Sequence, residues 1–192
     1  MIPSAPNAPA APAIKLHEIV HAVLAHQVDH VVITGGEPML FAELIPLCEQ
    51  LGRHGRHITV ETAGTLYLPL HCDLMSISPK LSNSTPATGV HPRWRRRHDR
   101  TRHAPRVIRA LIRRHAYQMK FVIDRPDDVA EVDRYLAQFP EIDRDAVMLM
   151  PQGTDADALA QTQAWLEPYC GVRGLRFCPR RQVEWFGLVP GT

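Results

Sequence analysis

Small and polar residues follow an apolar, strand-like run in the stretch VVITGGEPML of this 192-residue sequence. The run passes directly into Gly35, Gly36, Glu37 and Pro38. Adjacent glycines let a ligand approach the backbone closely, and a carboxylate can pair with a ligand ammonium group. The stretch therefore predicts a ligand-binding turn, although a plain turn would look the same in isolation.

Other predicted strands end in similar residue types. Because the carboxyl ends of parallel strands meet at one rim, hydroxyls, amides, an acid and a lysine from these segments should converge there. Each segment alone could be an ordinary loop, but their recurrence at successive strand ends favours a binding site. The segments are Glu61-Thr62-Ala63-Gly64-Thr65, Ser78-Pro79-Lys80, Lys120 within its strand, and Met150-Pro151-Gln152-Gly153.

Strands and helices alternate along the chain, which predicts an α/β fold. The strands are nearly continuously apolar, so we expect them to be buried on both faces of a mainly parallel sheet. The architecture is then an open doubly wound sheet or a full or partial (β/α) barrel. The predicted helices are 15–26, 41–54, 108–115, 127–139 and 155–169, and the predicted strands are 30–34, 58–62, 74–78, 117–123, 146–150 and 172–177.

Composition indicates one globular domain, with 45% apolar residues and a formal net charge of +2. We expect residues 1–13, rich in proline and alanine, to form a disordered tail before a domain at residues 14–192. No apolar run is long enough to span a membrane. The four cysteines lack CxxC spacing. They indicate reduced thiols in a cytoplasmic protein, with Cys48 in the core and no metal site.

The segment from His91 to Arg114 is dense in arginine and contains one tryptophan. Arginine and an exposed aromatic ring can together bind nucleic acid through phosphate contacts and stacking. A solvated loop leading into a helix is the favoured interpretation, and nucleic-acid binding is the alternative.

Six motifs occur in an order that resembles one enzyme family. TGGEP, ETAGT, SISPKLSNS, KFVI, LMPQG and the terminal RFCPRRQVEWFGLVPGT are similar to 7-carboxy-7-deazaguanine synthases, which are radical S-adenosylmethionine enzymes. The resemblance covers residues 14–192. It implies an incomplete (β/α) barrel of the radical S-adenosylmethionine type with mainly parallel strands. It also implies conversion of 6-carboxy-5,6,7,8-tetrahydropterin to 7-carboxy-7-deazaguanine, a carbon–nitrogen lyase step towards queuosine and other deazapurines.

The resemblance further implies cofactors and partners. The family uses S-adenosylmethionine, a four-iron four-sulfur cluster and Mg²⁺, and its members commonly form homodimers. We expect a pterin substrate and no membrane as partners of this chain, with nucleic acid as the disfavoured partner.

Site residues follow from the matching motifs. Gly35, Gly36 and Glu37 would hold the methionine part of S-adenosylmethionine. Ser78, Pro79 and Lys80 would contact the same cofactor, and Met150, Pro151, Gln152 and Gly153 would lie near its adenine. Thr34 would touch the pterin, as would the terminal carboxylate of Thr192.

The family's CxxxCxxC cluster motif does not occur in these 192 residues. The spacing of the four cysteines cannot replace it, so no residue is assigned to the cluster or to Mg²⁺. Three functions therefore stay open. The chain is a synthase given without its N-terminal cluster segment, a catalytically inactive relative that binds S-adenosylmethionine or a purine-like ligand, or an arginine-rich nucleic-acid-binding module.

Overall fold

The structure is a computed structural model that describes residues 14–87, 89 and 92–187. The predicted tail at residues 1–13 and the predicted pterin contact Thr192 lie outside the described residues. No helix within the described ranges is long and apolar enough to cross a membrane.

Helices and strands alternate as the sequence predicts. The helices are α1 (Leu16–Ala25), α2 (Leu44–Arg53), α3 (Pro92–Thr101), α4 (Pro105–Arg114), α5 (Asp128–Ala137), α6 (Ala156–Arg173) and α7 (Arg181–Phe186). The strands are β1 (His30–Ile33), β2 (His57–Thr62), β3 (Leu74–Ile77), β4 (Tyr117–Ile123), β5 (Val147–Pro151) and β6 (Arg176–Phe177).

The six strands form one parallel sheet in the order β1-β2-β3-β4-β5-β6, and the sheet does not close on itself. A doubly wound sheet reverses its strand order at a switch point, whereas a barrel adds each strand beside the previous one. The sequential order therefore selects the incomplete (β/α) barrel from the predicted alternatives.

One face of the sheet is buried under the helices, and the other is only partly buried. Alternate residues of the strands join the core cluster with α2, α4, α5 and α6, and we call this side the buried face. Its members include Ile58, Val60, Met75, Ile77, Met119, Phe121, Ile123, Val147 and Leu149. The opposite side, the open face, carries Thr59, Glu61, Ser76, Gln118, Lys120, Val122, Met148 and Met150.

Most open-face side chains are half-buried, so the prediction that the strands are buried on both faces is wrong. The reason is that the layer of helices covers one face only. The polar residues within the apolar strands, such as Glu61, Gln118 and Lys120, mark the side that the helices leave open.

Two further predictions need correction. The sequence predicts that Val172 and Arg173 begin the last strand, but they are the last residues of the 18-residue helix α6. Gly174 follows the helix in a left-handed conformation with φ +64°. The last strand is thus only Arg176–Phe177. The arginine-rich segment is not a solvated loop, because Pro92–Thr101 forms the helix α3.

Candidate ligand site at the carboxyl ends of the strands

The Glu37 side chain joins the ends of β1 and β2. It is only 8% exposed. Its Oε1 accepts hydrogen bonds from the Met39 amide at 3.1 Å and from the Thr62 hydroxyl at 2.8 Å, and its Oε2 accepts one from the Ala63 amide at 2.9 Å. Glu37 therefore fixes the GGEP turn against β2, and its predicted pairing with a ligand ammonium group stays a prediction.

Gly35 gives the GGEP turn an accessible backbone. Its φ is +149°, and a Cβ built there would meet no atom within 4 Å. Gly36 beside it is also exposed, and both residues line a cavity of about 600 Å³ together with Thr34 and Glu37. A ligand can thus reach the amides and carbonyls of this turn without displacing side chains.

Gly64 lies where the end of β2 meets the helices. Its φ is +71°, and a Cβ there would stand 2.5 Å from Ile108 Cδ1 and 2.9 Å from Ile77 Cγ2. Its amide donates to the Thr62 hydroxyl at 3.0 Å, and that hydroxyl in turn donates to Glu37. Close packing and a left-handed backbone both require glycine at this position.

Three polar side chains meet above the open face. Glu61 Oε1 accepts a hydrogen bond from Lys120 Nζ at 3.2 Å, and Oε2 accepts one from the Thr34 hydroxyl at 3.1 Å. Glu61 lies on β2 and Lys120 on β4, so their contact crosses β3 above Ser76. Thr34, which is predicted to touch the pterin, and Lys120, which is predicted to lie at the rim, thus both donate to the Glu61 carboxylate.

Lys80 adds a second cation near these residues. Its Nζ lies 3.5 Å from Ser78 Oγ. Desolvation lowers the pKa of Lys80, while Glu37 and Glu61 oppose this shift and Lys120 reinforces it. We call Glu37, Glu61, Lys80 and Lys120 the rim cluster. Its paired charges suit a ligand that carries both a carboxylate and cationic or N–H groups.

The loop after β3 is held by two acids that sequence reasoning missed. Asp128, only 4% exposed, accepts hydrogen bonds from the Asn83 side chain at 2.8 Å and from the Asp124 and Arg125 amides. Glu131 accepts from the Ser82 amide and hydroxyl. The acidic start of α5 was visible in the sequence, but its contact with the SNS segment was not.

The predicted cofactor residues divide between two cavities at this rim. The GGEP turn lines the larger one, while Pro79, Lys80 and Gln152 line a second cavity of about 320 Å³. Pro151 is buried, Met150 and Ser78 are half-buried, and Gly153 follows the end of β5. The structure thus brings the predicted strand-end residues to the same end of one sheet.

A metal cluster does not fit the residues that the structure describes. No group of three His, Cys, Asp or Glu side chains in these ranges could hold a metal ion. Cys48 and Cys170 are each 1% exposed and lie in the core, as expected for Cys48. Burial raises the pKa of both thiols to about 11.

Comparison with known proteins identifies the family. The chain is 42% identical over 178 residues to a 7-carboxy-7-deazaguanine synthase from Rhodopirellula baltica, covering 92% of this chain and 69% of that protein. The chain belongs to the 7-carboxy-7-deazaguanine synthase family. A synthase from Halobacterium salinarum is 34% identical over 189 residues, covering 93% of this chain and 74% of that protein. No protein-family model matches the chain.

Solved structures show the same fold. QueE from Escherichia coli superposes with a TM-score of 0.60 at 23% identity, covering 87% of this chain and 64% of that one. SuiB from Streptococcus suis, solved bound to S-adenosylmethionine, superposes with a TM-score of 0.56 at 14% identity, covering 91% of this chain and 45% of that one. The chain thus spans less than two thirds of these neighbours, and the predicted incomplete barrel is confirmed.

Proposed function

We propose that this chain carries the cofactor- and substrate-binding part of a synthase that converts 6-carboxy-5,6,7,8-tetrahydropterin to 7-carboxy-7-deazaguanine. Identity of 42% to a synthase over 178 residues is the observation that carries the proposal. The rim cluster supports it, because it combines two acids and two lysines at the strand ends where α/β folds bind ligands.

S-adenosylmethionine fits the residues around the GGEP turn. Gly35 and Gly36 offer exposed backbone groups to an amino-acid-like tail, and Glu37 holds the turn in place. Lys80 offers an ammonium group to a carboxylate, and Gln152 lies beside it in the second cavity. When bound, this cofactor supplies the radical chemistry of the family.

The open face suits a pterin carboxylate substrate. Lys120 can pair with the substrate carboxylate, while Glu61 can accept hydrogen bonds from the amino and ring N–H groups of the pterin. Thr34 fixes the orientation of Glu61 through its hydroxyl. These side chains bind and orient the substrate below the GGEP turn.

No step is assigned to an iron–sulfur cluster or to Mg²⁺, because no described group of side chains fits a metal. The same observation favours a second candidate function, an inactive relative that binds S-adenosylmethionine or a purine-like ligand. The two functions differ in whether the chain binds the pterin substrate in addition to S-adenosylmethionine.

Calorimetric titration of the purified chain with each ligand tests the binding proposal. Lys120→Met should weaken binding of 6-carboxytetrahydropterin about tenfold or more, because a charge-assisted hydrogen bond is lost. Glu61→Gln should weaken the same ligand and leave S-adenosylmethionine binding nearly unchanged. Glu37 is a poor test residue, because its loss would also release the ends of β1 and β2.

Arg53→Met is the control, because Arg53 is exposed in the last turn of α2, pairs only with Glu49 among the described residues and lines neither cavity at the rim. It should leave the affinity for both ligands unchanged. A chain that binds S-adenosylmethionine but not the pterin would contradict the synthase substrate and favour the inactive relative. A chain that binds neither ligand would contradict both candidate functions.

We also propose that the chain acts as a homodimer in the cytoplasm. The four thiols are free, as cytoplasmic proteins commonly keep them. Val32 on the edge strand β1 is 57% exposed and Phe41 is 62% exposed, which leaves apolar surface for a second copy. Sedimentation equilibrium should give twice the chain mass, and a monomer at all concentrations would contradict the dimer.

A further inference from the structure

Four arginines form a continuous stripe along the exposed side of α3. Arg93, Arg96, Arg97 and Arg100 are spaced at i, i+3, i+4 and i+7, so they lie on one face of the helix. All four are exposed. We call this set the arginine stripe. It spans about 10 Å along the helix axis at 1.5 Å per residue.

The opposite side of α3 holds the helix against the protein. Arg95 donates to the Pro86 carbonyl at 3.1 Å, and His98 Nε2 lies 3.3 Å from the Ser84 hydroxyl. Directly after the helix, Arg102 pairs with Glu131 at 3.0 Å. Because these residues anchor the inner side, the arginine stripe points away from the body of the domain.

The arginine stripe is not neutralised within the described residues. No described residue accepts a hydrogen bond from the side chain of Arg93, Arg96 or Arg100, and no described acid forms an ion pair with these three arginines. The acidic residue of this helix, Asp99, accepts a hydrogen bond from the Thr85 hydroxyl and forms an ion pair with Arg102. The formal net charge of the whole chain is only +2, so this positive charge is a local concentration.

An aromatic ring lies beside the arginine stripe. Trp94 is 52% exposed, and Arg97 Cζ stands 5.9 Å from the centre of its ring. Leaving a large indole exposed has an unfavourable hydration cost, so an exposed tryptophan next to several cations indicates a ligand that uses both. Bases stack on such rings while their phosphates pair with arginine.

We propose that α3 is a docking surface for single-stranded nucleic acid. The arginine stripe pairs with successive phosphates, and Trp94 stacks with one base. Guanidinium groups match phosphate oxygens in bidentate geometry, and a row of four such groups suits the repeated phosphates of a backbone better than one isolated anion. A membrane surface fits less well, because interfacial helices need a broad apolar side, and the inner side of α3 carries Arg95 and His98.

Fluorescence anisotropy with a labelled oligouridylate of about 20 nucleotides, titrated with salt, tests the charge part of the proposal. Each phosphate contact to a single strand contributes a slope of about −0.7 to log affinity against log salt concentration. The quadruple variant of the arginine stripe, with all four residues changed to Ala, should therefore lose a slope of about 3. Its affinity at low salt should fall by more than tenfold.

A second quadruple variant controls for net charge, because it removes the same number of arginines elsewhere. The control residues are Arg53, Arg113, Arg125 and Arg134, all exposed. This variant should keep most of the slope and affinity. Equal losses in the two variants would overturn a defined surface on α3, and an unchanged slope in the stripe variant would overturn it as well.

Tryptophan replacement tests the stacking part. Trp94→Ala should weaken oligouridylate binding about tenfold with no change in salt slope, because stacking carries no counterion release. Trp185→Ala is the matched control, since Trp185 is 68% exposed on α7. Displacement of the oligouridylate by polyglutamate at equal charge concentration would show a surface for acidic proteins and overturn the nucleic-acid proposal.

Discussion

The two faces of the sheet take side chains from the same strands, yet they are buried to different extents. On β4, Phe121 is 0% exposed on the buried face, while its neighbour Lys120 has a side chain that is 20% exposed on the open face. Phe121 packs against Tyr135 of α5, and Lys120 reaches across β3 to Glu61.

Residues that stabilise the fold and residues that could bind a ligand therefore alternate along the same strand. Period-two alternation places one set of side chains of each strand under the helices, whereas Glu61, Gln118 and Lys120 lie on the open face. The free energy of folding therefore depends on the buried face, whereas ligand recognition can vary on the open face with little effect on folding. Substitutions at neighbouring positions test this separation directly.

Phe121→Ala should have the largest effect on stability. The phenyl ring is fully buried and meets Tyr135 at a centroid distance of 5.1 Å. Removing it leaves a cavity, so we expect the free energy of unfolding to fall by about 3 to 5 kcal/mol. Urea denaturation followed by circular dichroism measures the loss.

Lys120→Met is the control on the same strand. It removes one partner of a part-exposed ion pair, so the free energy of unfolding should change by about 1 kcal/mol or less. Equal losses at the two positions would show that the open face also stabilises the fold, and would contradict the separation.

Gly64→Ala should have the next largest effect, because Gly64 joins the buried face to the ligand site. The added methyl group would collide with Ile77 and Ile108 in a backbone conformation that alanine disfavours. Strain of about 1 to 2 kcal/mol and overpacking of similar size should together lower the free energy of unfolding by about 3 kcal/mol.

Gly55→Ala separates these two contributions. Gly55 has nearly the same φ, +70°, but a Cβ there would meet no atom within 4 Å. Only the backbone strain applies, so its loss should be about 1 kcal/mol. Thermal or urea unfolding of both variants gives the packing contribution by difference, and equal losses would show that Ile77 and Ile108 move aside.

Most of the fold could be predicted from the sequence, because apolar runs and helical periodicity are local signals. The strand Tyr117–Ile123 is confirmed at both ends. The predicted end of α6 was wrong, because the helix continues to Arg173 and packs Cys170 into the core. α3 was missed because its arginines show no apolar stripe, and its anchoring contacts are polar.

The site was predictable only in part. Strand-end position brought Thr34, Glu37, Lys80 and Gln152 to one rim, since sheet topology alone decides that placement. The roles of these residues stay predictions. Partners distant in sequence were not predictable: Glu61 is 59 residues from Lys120, and Asp128 is 45 residues from Asn83. Such contacts depend on how strands and helices pack.

The buried Cys48 thiol tests the buried face through the pH dependence of stability, with a smaller expected effect than Phe121→Ala or Gly64→Ala. Burial raises the pKa of Cys48 from 9.0 to about 11, so the folded state holds its proton more tightly than the unfolded chain. This contribution is complete below pH 9 and is lost as the pH rises through the folded pKa near 11. At that pH, the loss of this contribution should lower the free energy of unfolding by about 2 kcal/mol.

Urea titrations at several pH values should show a shallower decline for Cys48→Ala than for the unaltered chain. Identical declines in the two proteins would mean that water reaches this side of α2 and that the buried face is less closed than its packing indicates.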